Sequence, residues 1–600
     1  MCAIAGILSA SLHPAQTDAL LLRMLSQGQR RGPDAEGVWR DECYSVGQRQ
    51  LHIMQSPDST HATLQPFLFK EKFVLSWNGS IYNYIELRKE LQSQGCVFSS
   101  ETDTEVLAQG LFYYGLEFLS KINGIFALSW YDIDKRKLTL AVDRFGVKPL
   151  HYQVQSNTIY FASEIKQLVV ANNPAPNFNA LVNFLLFNAE NYSAQTAFDK
   201  VFVLRGGQYV EVDIQDMKID VKQWHSNQWS QSLVSHSFEE NVLRFEELSA
   251  NAIMLQSRNA VKQGIALSAG LDSSWLFYGL KNRNSVVNAF TVGVTGDWQD
   301  ERIQAKKVFD AFAGPDDHFT AVAFKSDELI AELNDLSYVQ EEPFTDPSVY
   351  MQYRMMKIAA QQGVRVMLSG QGADELLLGY ERYSLLESLP LSIRNKLRYF
   401  QQLNVKTNAS FTKFLIFEQM FAKAKLRTAR VKHLHRGMFA DKIQLAEKTI
   451  WEAEANSYAS LSALYANEIE VLHLPKLLRY EDRNGGAFGI EGRQPFLENQ
   501  LADFIIQLPQ DHKLKEAQTK RILRSALGKT GLTNVANQKT KIGFTSPDYL
   551  WQNAHGEMDA LISNSRLLKE VYRALPNYHA NPRLMWKLQS IARWEKMYNL

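Results

Sequence analysis

The sequence predicts two units of different class. These are an α+β N-terminal region of stacked β-sheets with few helices, and a C-terminal α/β region built on a parallel sheet. Residues 1–210 form a dense series of short strands rich in β-branched and aromatic residues. From about Phe238, apolar runs alternate with longer amphipathic helices. A chain of 600 residues is also too long for one hydrophobic core.

In the first unit the strands read as Phe73–Trp77, Ile125–Trp130, Leu138–Val142 and Thr158–Ala162. Asp18–Gln27 and Tyr84–Gln94 carry apolar residues at three- and four-residue intervals and read as helices. Residues 211–237 read as the linker, most clearly the polar stretch Ser226–Ser237. In the second unit, 238–600, the strands read as Gly264–Leu267, Asn288–Val292 and Val364–Leu368. Residues from about Leu385 to Leu472 are helical and rich in Leu, Lys and Arg, which suits a solvated helix face. Neither an internal repeat nor a low-complexity tract is present.

Hydrophobic residues make up 45% and charged residues 22%, as in an ordinary globular protein. A formal net charge of +1 gives no reason to expect nucleic acid or a membrane surface as partner. Cys2, Cys43 and Cys96 are too few and too scattered for a disulfide framework, so a reducing, cytoplasmic setting is expected. No apolar run reaches membrane-spanning length. The start, Met1 to Leu8, lacks a basic n-region and reads as a buried first strand rather than a signal peptide.

Ser268-Ala269-Gly270-Leu271-Asp272-Ser273-Ser274 lies between the apolar run Ile265–Leu267 and a helix. A strand, a small-residue turn and a helix start leave backbone N–H groups free beside a positive dipole end, a setting that binds a pyrophosphate. Gly270 lets the backbone approach, and the serine hydroxyls can donate to phosphate oxygens. Asp272 would repel phosphate unless it holds Mg²⁺, which bridges the two. The spacing is not that of a Walker A loop, and a polar turn with a helix N-cap is the alternative. A second strand, Val366–Leu368, ends in Ser369-Gly370-Gln371-Gly372-Ala373-Asp374-Glu375. Two acidic turns at strand C-termini suggest a Mg²⁺–pyrophosphate clamp built from Asp272 and Asp374.

These turns resemble the S-G-G-L-D-S-S and S-G-E-G-x-D-E loops of asparagine synthetases. The resemblance covers nearly the whole chain. It includes Cys2, Arg31-Gly32-Pro33-Asp34, Asn78-Gly79, Asp103-Thr104-Glu105, Asp143–Leu150 and Ala162–Lys166. Further on it includes Arg479-Tyr480-Glu481-Asp482, Glu491–Leu497, Thr519–Arg524 and Lys541-Ile542-Gly543-Phe544. The resemblance implies an Ntn-hydrolase-like αββα sandwich for the glutaminase domain and a PP-loop ATP pyrophosphatase fold, adenine nucleotide α-hydrolase-like, for the synthetase domain. ATP and Mg²⁺ would serve the second domain, where a carboxylate becomes an AMP ester that ammonia attacks. Leu267, Ser268, Gly270, Asp272, Ser273, Ser274, Val292, Ser369 and Gly370 would hold nucleotide and pyrophosphate, with Asp272 and Asp374 on the metal. Lys520 looks like the family's lysine that neutralises charge on the phosphates. Members are often homodimers.

Removal of Met1 would leave Cys2 with a free α-amino group able to act as base for its own thiol near pH 7. The thiolate would attack the glutamine amide, with Asn78 and the Gly79 N–H as the family's oxyanion hole. Asp103 matches the residue that binds the substrate α-amino group. Two positions depart from the family. Ser80 stands where Glu usually follows Asn-Gly, and Gln50 stands where an arginine clamps the α-carboxylate. Without that charge a weaker bond, and weak glutamine affinity, are expected.

Gln371 replaces a usual Glu, so solvent or Glu375 would have to take the proton that ammonia sheds. Gly485-Gly486 replace Ser-Met and are expected to enlarge the acceptor pocket. Aspartate is the first acceptor. A uronic acid of a surface polysaccharide, a precursor peptide, or a non-catalytic regulatory role are the competing readings. A β-lactam-forming enzyme needs no ammonia, which does not suit a chain with Cys2.

Overall fold

The computed structural model describes residues 1–10, 14–54, 64–190, 192–215, 217–229, 236–294, 300–403, 411–422, 439, 458, 460–538 and 555–600. Its first twelve strands are β1 (Ala3–Ser9), β2 (Ala35–Arg40), β3 (Tyr44–Gln50), β4 (Phe67–Phe69), β5 (Phe73–Ile81), β6 (Gly124–Asp132), β7 (Lys137–Val142), β8 (His151–Gln155), β9 (Thr158–Ala162), β10 (Val201–Val203), β11 (Gln208–Asp213) and β12 (Asp220–Gln223). They form two sheets, ordered β10-β8-β9-β1-β3-β2 and β12-β11-β7-β6-β5-β4. Every pairing in them is antiparallel.

Side chains alternate faces along a strand, and that alternation builds the layers. Ile4, Leu8, Val74, Ala127, Leu138, Leu140 and Val142 meet between the sheets. Ala5 and Ile7 point the other way, onto α1 (Pro14–Gln27). Leu75, Trp77 and Leu128 point onto α2 (Tyr84–Ser93) and α3 (Asp103–Tyr114). The result is helix, sheet, sheet, helix, as expected. One boundary differs. Residues 211–223 include β12 and the end of β11, so the second sheet runs well into the expected linker. All four residues of β12 are exposed, which is why no apolar period marks it.

The second unit holds β13 (Gln263–Ala266), β14 (Asn288–Val294), β15 (His318–Phe324), β16 (Val366–Leu368) and β17 (Glu491–Arg493). The sheet order is β15-β14-β13-β16-β17, and every pair is parallel. The order reverses between β13 and β16, so the turns following these neighbouring strands flank a topological switch point. Part of the basic helical stretch is seen as helices Glu381–Ser388, Ile393–Leu403, Phe411–Ala422 and Leu461–Asn467. The rest of it, and Lys541–Phe544, lie outside the described residues. Among the described residues no helix is long and apolar enough to cross a membrane.

The two units share one apolar core. Leu181, Leu185 and Phe198 of the first pack with Phe344, Trp586 and Trp594 of the second. Buried charge joins them as well. Arg31 makes a two-pronged bond to Asp482, at 2.7 and 3.1 Å, with both side chains at 2% exposure or less. Arg483 pairs with Glu341 at 2.6 Å, and Glu341 also accepts the backbone N–H groups of Ile165 and Lys166.

Removing one member of a buried pair strands the other charge without water. Asp482→Ala is therefore expected to cost about 3–5 kcal/mol, read as a drop in unfolding free energy by denaturant titration. The double variant Arg31→Met with Asp482→Leu should lose less than the two single losses added together.

Candidate functional site

The turn after β13 closes on its own serines. The backbone N–H of Ser268 donates to Ser273 Oγ at 3.0 Å, and that of Gly270 donates to Ser268 Oγ at 3.1 Å. Gly270 is the N-cap of α4 (Leu271–Lys281), so Asp272 lies in the first helical turn, earlier than the expected helix start. The turn after β16 lies directly beside it. A Cβ on Gly370 would come within 2.8 Å of the Asp272 Cβ, so glycine is what allows the two turns to touch.

Lys520 brings the two aspartates together. Its backbone is left-handed at φ 52°, and its Nζ lies 2.7 and 2.6 Å from the Asp272 oxygens and 2.7 Å from Asp374 Oδ1. Two carboxylates converging on one cation fit a Mg²⁺ shared with phosphate oxygens. No cluster of three or more potential ligand side chains occurs among the described residues, so the remaining ligands would come from the nucleotide and water. These groups open onto a cavity of about 980 Å³, at the upper end of small-molecule sites. Gln371, Tyr380, Tyr480 and Arg524 line it too.

Three of the expected nucleotide contacts are buried residues. Leu267, Ser274 and Val292 are at most 1% exposed and do not line the cavity. Leu267 and Val292 sit in the apolar cores, where strand-end residues of a doubly covered sheet must point. Gly379 went unrecognised in the sequence. A Cβ there would collide with Asp374 Oδ1 and Lys520 Cε, and the only sequence signal was its place shortly after the Asp-Glu turn.

At the amino terminus, Cys2 is half-buried and its backbone N–H donates to Asn78 Oδ1 at 2.9 Å. Asn78 is fully buried on β5, and its Nδ2 has no hydrogen-bond partner among the described residues. An unpaired amide donor is costly to bury, and it is the kind of group that a developing oxyanion would satisfy. Asp103, at the start of α3, accepts from the Ile81 N–H at 3.3 Å, and burial raises its pKa to about 6. Gln50 is buried and accepts from the Gln65 N–H at 3.2 Å. Arg49 turns away to pair with Glu36, as a one-residue step on a strand requires.

The seam between Cys2 and the cavity holds further functional candidates. Ser80 donates to Glu491 at 2.9 Å and accepts from Arg493 at 3.2 Å, so it is a seam residue. Gly485 and Gly486 do not face the acceptor cavity. A Cβ on Gly485 would meet the Ile490 carbonyl oxygen at 2.5 Å and Met1 Cε at 2.9 Å, and one on Gly486 would approach Arg31 at 2.9 Å. These glycines admit the N-terminal domain, and the expectation of a pocket enlarged by them is overturned. Glu375 is buried and accepts from the Tyr380 hydroxyl.

Fold and site define a two-domain protein, with a nucleophile-bearing αββα unit docked on a parallel-sheet unit carrying two acidic turns. Residues 1–225 match the glutamine amidotransferase domain and residues 244–596 match the asparagine synthase family. The chain belongs to that family and is a glutamine-dependent carbon–nitrogen ligase of asparagine-synthetase type. It is 28% identical to glutamine-hydrolyzing asparagine synthetase 1 of Bacillus subtilis (strain 168), over 94% of this chain and 89% of that one. Asparagine synthetase 2 of the same organism is 26% identical, over 88% of this chain and 69% of that one.

Gly379→Ala forces Asp374 and Lys520 apart and is expected to destabilise by about 1–3 kcal/mol, read by thermal or denaturant unfolding.

Proposed function

We propose that this chain is an ATP-dependent amidoligase acting as a glutamine-hydrolysing asparagine synthetase. Once Met1 is removed, the Cys2 thiolate attacks the glutamine side-chain amide, forms a thioester and releases ammonia. Asn78 and the Gly79 N–H stabilise the oxyanion, Asp103 holds the substrate ammonium, and Gln50 hydrogen-bonds its carboxylate. In the second domain, aspartate attacks the α-phosphorus of ATP and pyrophosphate leaves. Ser268, Gly270, Ser273 and Gly370 cradle the phosphates, Ser369 lies beside them with its N–H bound to the Arg493 carbonyl and its hydroxyl to Glu481, and Lys520 offsets the phosphate charge. Mg²⁺ held by Asp272 and Asp374 would supply charge neutralisation across the phosphates. Ammonia then displaces AMP from the acyl adenylate.

The observation that carries this reading is the convergence of Asp272, Asp374 and Lys520 at the switch point, together with an unpaired Asn78 amide beside Cys2. A regulatory homologue has no use for either arrangement. An acceptor bulkier than aspartate has lost its main support, since Gly485 and Gly486 lie away from the cavity. The remaining departure, Gln371, is a cavity-lining residue and concerns proton handling as much as acceptor size. The three free cysteines suit a reducing, cytoplasmic setting.

The deciding measurement is pyrophosphate release across a panel of carboxylates with ATP and ammonia. Aspartate should give the highest rate, and no release with aspartate would overturn the acceptor. Cys2→Ala should abolish synthesis from glutamine and leave synthesis from ammonia near wild type, whereas Asp272→Asn should stop both.

The Asp103 carboxyl is neutral below about pH 6 and ionised above it. The KM for glutamine should therefore rise as pH falls through about 6, and Asp103→Asn should lack that rise. A KM independent of pH there would remove Asp103 from the ammonium site.

A further inference from the structure

Gln371 puts an amide at the cavity-lining position where a glutamate was expected, yet the nitrogen that attacks an acyl adenylate must lose a proton. Two buried carboxylates stand behind the lining residues. Glu375 is held by the Tyr380 hydroxyl, and burial beside carboxylates lifts Tyr380 well above the ordinary phenol range. Glu481 is placed differently. It is 1% exposed, and the Ser369 hydroxyl donates to its two oxygens at 2.8 and 3.0 Å. Ser369 itself lines the cavity beside Gly370 and Gln371. Gln494 Nε2 donates to the same carboxylate at 2.9 Å. A Cβ on Gly492 would come within 2.7 Å of Glu481 Oε1, so glycine on β17 makes room for the carboxylate.

Glu481 also lies near the domain from which ammonia would come, with Lys148 of that domain acting on its charge. The next residue on its helix, Asp482, binds Arg31 of the N-terminal domain. Lys148, from the loop after β7, lies 3.9 Å from both Asp482 and Glu491. The charged groups acting on Glu481 are Lys148 from the N-terminal domain and Asp482 on its own helix, while Glu491 and Arg493 pair with each other on the neighbouring β17. Burial raises the Glu481 pKa to about 7, against the opposing effect of its hydrogen bonds from Gln494 and Ser369. A group of that strength accepts a proton at neutral pH and returns it to water between turnovers.

We propose that Glu481, reached through the Ser369 hydroxyl, takes the proton shed by the attacking nitrogen. This rests on the reading that the second domain makes an amide from an adenylated carboxylate. The nitrogen lone pair forms the C–N bond at the acyl carbon. A proton on that nitrogen passes to Ser369 Oγ as the Ser369 proton passes to the Glu481 carboxylate. The bond from carbonyl carbon to phosphate oxygen breaks, and AMP leaves with the electron pair. Ser369 touches the reacting centre, and Glu481 is the terminal acceptor behind it.

The test uses the full chain, ammonia as nitrogen source, and whichever carboxylate supports pyrophosphate release by wild type. Glu481→Gln should lower kcat for amide formation at pH 7 about 100-fold, within the usual range for a lost general base. ATP–pyrophosphate exchange should stay at the wild-type level, because adenylation does not use the relay. Hydroxylamine, a nucleophile that sheds its proton more readily than ammonia, should recover most of the rate, and Glu481→Asp part of it. Wild-type kcat with ammonia should fall as pH drops through about 7, a limb absent from Glu481→Gln. An unchanged rate in Glu481→Gln, exchange lost in parallel, or the loss appearing in Glu375→Gln instead would each overturn the assignment. Failure of aspartate as acceptor bears only on the acceptor, because each comparison is made within one carboxylate.

Discussion

The structure depends on a short charged strand. β17 has only three residues, all buried, and two of them are Glu491 and Arg493. The Arg493 carbonyl accepts the backbone N–H of Ser369 at 2.9 Å, which fixes the second phosphate turn. Its guanidinium reaches the Gln256 and Arg258 carbonyls at 2.8 Å and Ser80 at 3.2 Å. Ser80 is two residues after Asn78. One arginine therefore ties the edge of the synthetase sheet to the strand carrying the proposed oxyanion donor. A charge this deep is tolerated only when every donor is matched, so displacing either domain would leave several groups unsatisfied at once. The relative position of the two sites follows from that requirement.

Ser80 takes on a second meaning in this setting. By resemblance it reads as one fewer hold on glutamine. In the fold its hydroxyl donates to Glu491 and accepts from Arg493. A glutamate at that position would place another carboxylate against Glu491 in a region without water, where like charges repel strongly. Burial opposes ionisation of Glu491, but the cations Lys148 and Arg493 outweigh it and lower its pKa to about 2. Serine is thus a residue that the Glu491–Arg493 pair accepts without a further buried charge.

Most of the fold was legible because its core strands alternate or run apolar. Phe73, Ile125, Leu138 and Thr158 each marked a strand that the structure contains. What escaped detection has a common cause. β17 is polar and buried, β12 is fully exposed, and neither carries the period that hydrophobicity can report. The two acidic turns and their places at strand ends were legible locally, since a strand, glycine and an aspartate lie within a few residues. Gly485 and Gly486 were misread because their neighbours, Met1 and Arg31, are more than 450 positions away along the chain. Glu481 appeared within a recognised motif, but its function depends on Ser369 and Lys148, which sequence proximity does not reveal.

The same burial that isolates the seam prepares the amino terminus for chemistry. The Met1 α-amine lies among Glu491, Lys148 and Arg31, and burial lowers its pKa to about 5. An amine in that setting is neutral at pH 7, although the carboxylate of Glu491 pulls the other way. Loss of Met1 would move the free amine by one peptide unit, to the nitrogen that now donates to Asn78. There it would remain near the same cations and largely out of water. A protonated amine cannot take the thiol proton, so the base role requires an environment that disfavours the ammonium form. The docked second domain closes that environment against water while its Glu491 opposes the shift, so the proposed base role of the Cys2 amine depends on burial that the assembled two-domain chain supplies.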